Sequence, residues 1–110
     1  MWVEPNILLD RQDEFRTSSG NIIIIKVRLI HLPGINKKEY PNDYKFSLMA
    51  VNKDNIQEQV RLDNHHNRPP HYHWDQNPVV FFEWVSWRKT RQLFYQMVTK
   101  RFGNFTPKIN

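Results

Sequence analysis

Alternating apolar and polar positions between residues 7 and 62 predict β-strands in four segments of the chain. These segments are Ile7 to Thr17, Ile22 to Leu32, Tyr44 to Val51 and Ile56 to Leu62. The first two meet at Ser18-Ser19-Gly20-Asn21, a glycine-containing hairpin signal, and Asn52-Lys53-Asp54-Asn55 is a turn between the last two. The sequence therefore predicts an antiparallel meander of four strands.

The C-terminal part of the chain predicts one long helix. Ser86 is a favourable N-cap and Gly103 a stop signal, and apolar residues recur between them at helical spacing: Trp87, Leu93, Phe94, Met97, Val98 and Phe102. The run Val79 to Phe82 fits either a fifth strand or the start of the helix. We expect a single domain over residues 1–110 with an α+β fold, a four- to five-stranded antiparallel meander packed on one face by a long C-terminal amphipathic helix.

The same alternation separates the two faces of the predicted sheet. If Val27, Phe46 and Val60 line the face under the helix, four basic residues share the opposite face: Lys26, Arg28, Lys45 and Arg61. Long basic side chains also cover exposed sheet faces without binding any ligand. The pattern therefore predicts a basic surface and leaves its use open.

The net charge of +5 is unevenly distributed along the chain. Residues 85–110 contain no acid and six basic residues, Arg88, Lys89, Arg91, Lys100, Arg101 and Lys108. This distribution favours a polyanion or an acidic protein as partner, and a solvated basic helix face is the alternative.

Three further features bear on the compartment. The chain has no cysteine, which excludes disulfides and thiolate chemistry and suits a reducing cytosol. The first residues lack a basic-then-apolar leader pattern, and apolar runs such as Ile22 to Ile25 are too short to span a bilayer. We expect a cytoplasmic protein that does not enter the membrane.

Four of the five histidines lie in one short segment: His65, His66, His71 and His73. Histidine titrates near neutral pH, so such a segment can supply an acid, a base or metal ligands. Residues i and i+2 of an extended chain project to the same side, so His71 and His73 can face one small group. His65 and His66 project apart, so at most one of them joins this pair, and we include His66.

The residue types of this segment suit metal-independent RNA cleavage. That reaction needs a base for the 2′-hydroxyl proton, an acid for the leaving 5′-oxygen and cations for the charge on the phosphoryl oxygens. We assign proton transfer to His71 and His73 and phosphate binding to Arg61, while Asp63 holds a histidine tautomer or pairs with Arg61. No metal or cofactor is expected. The candidate RNA-binding residues are Lys26, Arg28, Lys45, Asn64, Arg68, Tyr72 and Trp74.

Two other interpretations of the histidine segment are open. A stretch rich in His, Asn and Pro can be a polar connection without a function. The His-x-His pattern also suits zinc or another transition metal, with Asp63 or Asp75 as carboxylate ligand. The chain has no Walker loop, Gly-rich dinucleotide loop, H-E-x-x-H helix or G-x-S-x-G elbow, which excludes most nucleotide-binding, protease and esterase classes.

A series of short motifs runs over roughly residues 8 to 75. In chain order the motifs are Leu9-Asp10-Arg11 with Phe15, Gly20 before a long β-run ending at Leu32-Pro33, Tyr44-Lys45-Phe46, Arg61-Leu62-Asp63-Asn64 and His71-Tyr72-His73. This series resembles the TumE family of toxin–antitoxin proteins. The sharpest part is an Arg-x-Asp-Asn motif followed by a His-x-His pair. The matching positions are Arg61, Asp63, Asn64, His71 and His73.

The resemblance implies a small cytoplasmic toxin that acts on RNA and is encoded beside an antitoxin with a helix-turn-helix DNA-binding domain. The chain differs from many relatives at Trp74, where they continue with small or glycine-containing sequence, and in its aromatic, basic C-terminal helix. The RNA target and the antitoxin contact are therefore open.

The leading hypothesis is an endoribonuclease toxin that uses histidine acid-base catalysis. The first alternative is a non-catalytic nucleic-acid-binding module in which the basic sheet binds the backbone while Phe46, Tyr72 and Trp74 stack on bases. The second alternative is a metal-dependent nuclease or a nucleotide-modifying toxin.

Overall fold

A computed structural model describes residues 4–108, which form a seven-stranded antiparallel sheet and one α-helix. The strands are β1 (Asn6–Thr17), β2 (Ile22–His31), β3 (Tyr44–Asn52), β4 (Asn55–His65), β5 (Arg68–Trp74), β6 (Val80–Phe81) and β7 (Phe105–Pro107), and the helix α1 (Trp87–Phe102) lies between β6 and β7. A 3₁₀ turn, Pro41–Asp43, precedes β3. The strand order across the sheet is β6-β5-β4-β3-β2-β1-β7. Strands β1 to β6 therefore form an uninterrupted meander, and β7 extends it beyond β1.

One face of the sheet carries the hydrophobic core, and α1 covers this face along β3 and β4. Each fully buried Leu, Ile or Phe contributes about 1.5–3 kcal/mol by leaving water, so this face supplies most of the driving force for folding. The strands contribute Ile23, Ile25, Val27, Leu29, Phe46, Leu48, Ala50, Val60 and Leu62, and the helix contributes Phe94, Val98 and Phe102.

Helix α1 begins and ends where the sequence predicts. The hydroxyl oxygen of Ser86 accepts a hydrogen bond from the backbone N–H of Lys89 at 3.0 Å, and Gly103, with φ at 86°, ends the helix. In the last turn, Nε of Arg101 lies 3.0 and 3.1 Å from the two carboxylate oxygens of Asp75. This pair fixes the helix to the residue that follows β5.

The structure confirms the α+β class, the four predicted strands and the C-terminal helix, but it contains more strands than predicted. Strand β4 continues to His65, three residues beyond its predicted end at Leu62, and the segment Val80–Phe81 is a short strand. Strand β7, after the helix, has too few residues to show a period. Within residues 4–108, no helix is long and apolar enough to cross a membrane.

Strand β5 contains His71 and His73, and it forms although two consecutive prolines, Pro69 and Pro70, lie within it. Proline has no N–H to give to a neighbouring strand, so it is tolerated where a strand has a free edge. Strand β6 pairs with β5 only at His71 and Tyr72, so both prolines lie beyond this pairing, and the carbonyl of Pro70 accepts a hydrogen bond from the backbone N–H of Phe82 at 3.1 Å. His65, His71 and His73 therefore stand on strands of the sheet, whereas His66 lies in the turn between β4 and β5.

Candidate active site

The register between β4 and β5 brings the predicted catalytic residues together. Arg61 is opposite His73, and Asp63 is opposite His71, on the face of the sheet that α1 leaves uncovered. Each pair extends into a row across the sheet through β3 and β2. The first row contains Lys26, Met49, Arg61 and His73, and the second contains Arg28, Ser47, Asp63 and His71.

Asp63 is the centre of the resulting cluster. Its Oδ2 lies 3.1 Å from Nε of Arg61, and its Oδ1 lies 2.7 Å from Nε2 of His71 and 3.8 Å from Nε2 of His73. Arg61 Nε, Asp63 Oδ1 and His71 Nε2 are buried, yet none of them makes a well-aligned hydrogen bond within residues 4–108. The carboxylate thus holds its neighbours mainly through charge.

His71 is fully buried. Its Nδ1 lies 2.8 Å from the carbonyl oxygen of Pro69, and because a carbonyl only accepts, Nδ1 carries a hydrogen. Nε2 then meets Asp63 either as a second N–H or as a lone pair opposed to the carboxylate lone pairs. The second arrangement is repulsive at 2.7 Å. A cation, either a proton or a metal ion, is therefore needed between His71 and Asp63.

The ring of His71 is buried because three other rings pack around it. The ring centroids of His65, His73 and Phe81 lie 5.4, 5.0 and 5.7 Å from its own. His71 therefore exposes no surface that a substrate could contact directly.

His73 differs from His71 in both exposure and tautomer. Its side chain keeps 19% of its surface exposed, and its Nε2 lies 3.0 Å from Nη2 of Arg61. Arginine only donates, so Nε2 of His73 accepts and carries a lone pair. Burial, followed by the positive charge of Arg61, lowers the pKa of His73 below the usual histidine value. His73 is therefore a neutral base beside a cation.

Three basic residues are exposed on the same face, Lys26, Arg28 and Lys45. Two shallow depressions border the Asp63 cluster. One, of about 200 Å³, is lined by residues that include Arg28, Lys45 and His65. The other, of about 210 Å³, includes Gln59, Arg61, His73 and Asn77. A strand of nucleic acid lying across the cluster would have space on both sides of it.

Three aromatic candidates for base stacking do not reach this face. Phe46 is buried in the core, and Tyr72 and Trp74 pack against the core on the helix side. Alternation along β5 requires this, because residues 71 and 73 already point to the uncovered face. Stacking of bases on the uncovered face is therefore excluded for the buried Phe46, and the half-buried Tyr72 and Trp74 point to the other side of the sheet.

Asn64 is also a structural residue. Its Oδ1 accepts a hydrogen bond from the backbone N–H of Phe46 at 2.9 Å, and its Nδ2 donates to the carbonyls of Glu39 and Tyr44 at 2.7 and 2.9 Å. The side chain is buried and its hydrogen bonds serve the backbone. The prediction that Asn64 binds RNA is replaced by a role in fixing the loop before β3.

Of the two adjacent histidines, His65 and not His66 packs its ring on His71. His66 is exposed in the turn between β4 and β5, as is Arg68 at the start of β5. Continuing the two-residue period from Arg61 and Asp63 would have identified His65. Asp75, the alternative carboxylate ligand of the sequence analysis, is bound to Arg101 instead.

Within residues 4–108, one set of residues could hold a metal ion. Asp63, His65 and His71 each offer a ligand atom, and these atoms lie within 4.8 Å of one another. By contrast, a larger depression of about 850 Å³ along the outer side of α1 is lined by residues that include Arg88, Arg91 and Tyr95, and no histidine or acid lines it. The chemistry of the described chain is concentrated on the sheet.

Comparisons of the chain with protein-family models, with curated proteins and with solved structures found no match. The resemblance to the TumE family therefore stays a prediction that depends on Arg61, Asp63, Asn64, His71 and His73.

Proposed function

We propose that this protein is an RNA-cleaving toxin of a toxin–antitoxin module. The observation that carries the proposal is the 3.0 Å contact between Arg61 Nη2 and His73 Nε2, which places a base and a phosphate-binding cation side by side. Exposed basic residues surround this pair on the same sheet face. The TumE resemblance supports the biological setting, a cytoplasmic toxin controlled by a helix-turn-helix antitoxin.

The reaction begins when a phosphate of RNA binds to the guanidinium of Arg61, which then donates to phosphoryl oxygens in place of His73. This frees the lone pair on His73 Nε2 to accept the proton of the adjacent 2′-hydroxyl. The 2′-oxygen bonds to phosphorus and the bond to the 5′-oxygen breaks, while the leaving oxygen takes a proton from water. The products are a 2′,3′-cyclic phosphate and a 5′-hydroxyl.

The rate enhancement has two sources. A positioned base gives about 10²–10⁴-fold, and a fixed arginine stabilises the charge that develops on the phosphoryl oxygens. Asp63 fixes the arginine by pairing with its Nε at 3.1 Å, which leaves the Nη2 end for the phosphate. His71 contributes as a positioning residue, since it is buried behind Asp63 and His73.

The roles assigned from sequence to His71 and His73 are thus divided in this proposal. His73 transfers the proton, whereas His71 and Asp63 hold the site. His66 takes no part in the chemistry. Lys26, Arg28 and Lys45 hold the RNA backbone, because their exposed charges lie on the same face as Arg61.

A cleavage assay with end-labelled RNA in EDTA tests the proposal. We expect cyclic-phosphate products from the wild type, a loss of about 10²-fold or more for His73→Ala, and near-normal cleavage for His66→Ala. A substrate with 2′-deoxyribose at the reacting position should stay intact. If the folded wild-type protein binds RNA but does not cleave it, the result would instead favour a non-catalytic RNA-binding module. The exposed basic residues alone would explain such binding.

The toxin role is tested in cells. Expression of the chain alone should stop growth, His73→Ala should relieve the arrest, and co-expression of the product of the neighbouring reading frame should restore growth. Unimpaired growth at a high level of folded wild-type protein would contradict a toxin.

A further inference from the structure

We propose that Asp63, His65 and His71 form a binding site for a divalent transition-metal ion, for which Zn²⁺ is the suitable probe. This inference goes beyond the proposed function and does not depend on it, since the cleavage step above uses Arg61 and His73. The sequence pattern alone pointed to a different set of ligands, His71 with His73.

The distances suit a small ion. Two ligands of a tetrahedral Zn²⁺, each about 2.0–2.2 Å from it, lie about 3.3–3.6 Å apart. Asp63 Oδ1 and His71 Nε2 are 2.7 Å apart, and all three ligand atoms lie within 4.8 Å of one another. Shifts of about 1 Å bring them to the required spacing. His65 is exposed at the end of β4, so its side chain is free to make such a shift.

The tautomer of both histidines favours ligation. A metal-bound histidine commonly donates its other ring N–H to a backbone carbonyl or a carboxylate, which fixes the ring. His71 Nδ1 lies 2.8 Å from the Pro69 carbonyl, and His65 Nδ1 lies 3.2 Å from the His66 carbonyl. A neutral ring that donates from Nδ1 has its lone pair on Nε2. Both rings are thus held by an Nδ1–H to carbonyl contact, as metal-bound histidines commonly are.

Two buried polar atoms at the site lack a well-aligned partner. Asp63 Oδ1 and His71 Nε2 are buried and make no such hydrogen bond within residues 4–108. Buried polar atoms in proteins are normally satisfied, and unpaired ones often indicate an ion or water. In the tautomer with the lone pair on Nε2, two lone pairs face each other at 2.7 Å, an arrangement that a bound cation makes favourable. A metal ion would satisfy both atoms at once.

The neighbouring charged residues do not compete with the ion for its ligand atoms. Arg61 contacts the other carboxylate oxygen, Oδ2, so Oδ1 is not paired with Arg61. His73 is not a ligand, because its Nε2 accepts from Arg61 and is 3.8 Å from Asp63 Oδ1. Two imidazoles and one carboxylate are a donor set suited to Zn²⁺ and Fe²⁺, and a three-residue set leaves a coordination position for water.

The test is calorimetric titration of Zn²⁺ into the tag-free full-length chain, previously stripped with EDTA and dialysed. We expect one ion per chain with a dissociation constant of about 1 µM or lower. His65→Ala should weaken binding about tenfold or more, because a ligand is lost. His66→Ala is the matched control, since His66 neighbours His65 and its carbonyl is retained, and it should bind as the wild type does.

Circular dichroism melts should confirm that both variants are folded. No stoichiometric binding by the folded wild type, or an equal loss in His65→Ala and His66→Ala, would overturn the proposed site. The outcome is separable from that of the RNA assay, which is run in EDTA. If the protein binds Zn²⁺ but leaves RNA intact, the result supports the metal site and contradicts the proposed ribonuclease activity.

Discussion

Nε2 of His71 lies 2.7 Å from Oδ1 of Asp63, while the opposite nitrogen of the same ring faces the carbonyl of Pro69 at 2.8 Å. The imidazole is therefore held between two acceptors on adjacent strands, in a fully buried position. Because the strands themselves are paired at Asp63 and His71, the contact is built into the sheet register. The site is as rigid as the sheet that carries it.

This relationship predicts a large loss of stability when His71 is replaced. His71→Ala removes the partner of a buried carboxylate oxygen and leaves a cavity beneath His65 and Phe81, so unfolding should become easier by about 2–4 kcal/mol. His73→Ala, at a partly exposed position, should cost about 1 kcal/mol or less. Urea denaturation followed by tryptophan fluorescence measures both.

The contrast between the two variants also tests the division of roles. A loss of RNA cleavage in His73→Ala without a loss of stability would identify a residue that acts in the reaction. If His71→Ala were instead as stable as the wild type, the burial argument for a positioning role would fail, and His66→Ala serves as the neutral reference for both.

The facing of the strands could be predicted from the sequence because it depends only on a two-residue period. Val27, Phe46 and Val60 are buried under the helix, and Lys26 and Arg28 are exposed on the other face, as predicted. The helix limits could be predicted because Ser86 and Gly103 have the local chemistry of helix ends. Both the strand facing and the helix limits depend on residues that are close together in the sequence.

The site required information that is not local. The pairing of Arg61 with His73 depends on the register between β4 and β5, which a bulge between Asp63 and His65 alters. The sequence predicts that β4 ends at Leu62. Because the predicted strand stops there, its two-residue alternation does not extend to His65. Propensity also favours a loop for a segment with two prolines, yet both prolines lie in β5, beyond the residues that pair with β6.

The hydrogen bonds of Asn64 predict that this residue is needed for stability. Asn64→Ala removes three contacts and leaves the backbone N–H of Phe46 and two carbonyls without this partner, so the free energy of unfolding should fall by about 2–4 kcal/mol. RNA binding by the fraction that remains folded should be unchanged. Reduced RNA affinity at full stability would restore the role predicted from the sequence.

Alternation along β4 predicts opposite phenotypes for two neighbouring residues. Leu62 is fully buried in the core, so Leu62→Ala should cost about 2–4 kcal/mol of stability. The Arg61 side chain is 37% exposed on the other face, so Arg61→Ala should alter stability by about 1 kcal/mol or less. Arg61→Ala should nevertheless abolish most RNA cleavage.

Arg61→Lys is the informative companion to Arg61→Ala. It keeps the positive charge but loses the planar group that contacts Asp63 and a phosphate together, so it should restore RNA affinity more than cleavage. Thermal melts and the labelled-RNA assay on the same protein samples measure these effects. A destabilised Arg61→Ala beside a stable Leu62→Ala would reverse the assignment of the two faces.

The exposed basic residues of the uncovered face predict salt-dependent RNA binding. Each phosphate neutralised on single-stranded RNA contributes a slope of about −0.7 to the logarithm of affinity against the logarithm of salt concentration. If three to five basic side chains take part, affinity should fall roughly ten- to hundredfold between about 50 and 200 mM salt.

Lys45→Ala should weaken RNA binding and make the slope shallower by about 0.7, because Lys45 is exposed beside the Asp63 cluster. Lys89→Ala is the matched control, since Lys89 is equally exposed but lies on α1, on the opposite side of the sheet. Fluorescence anisotropy with a labelled single strand at several salt concentrations measures both slopes. If Lys89→Ala lowered the slope and Lys45→Ala did not, the RNA would be bound by the basic helix, and the uncovered sheet face would no longer be its binding surface.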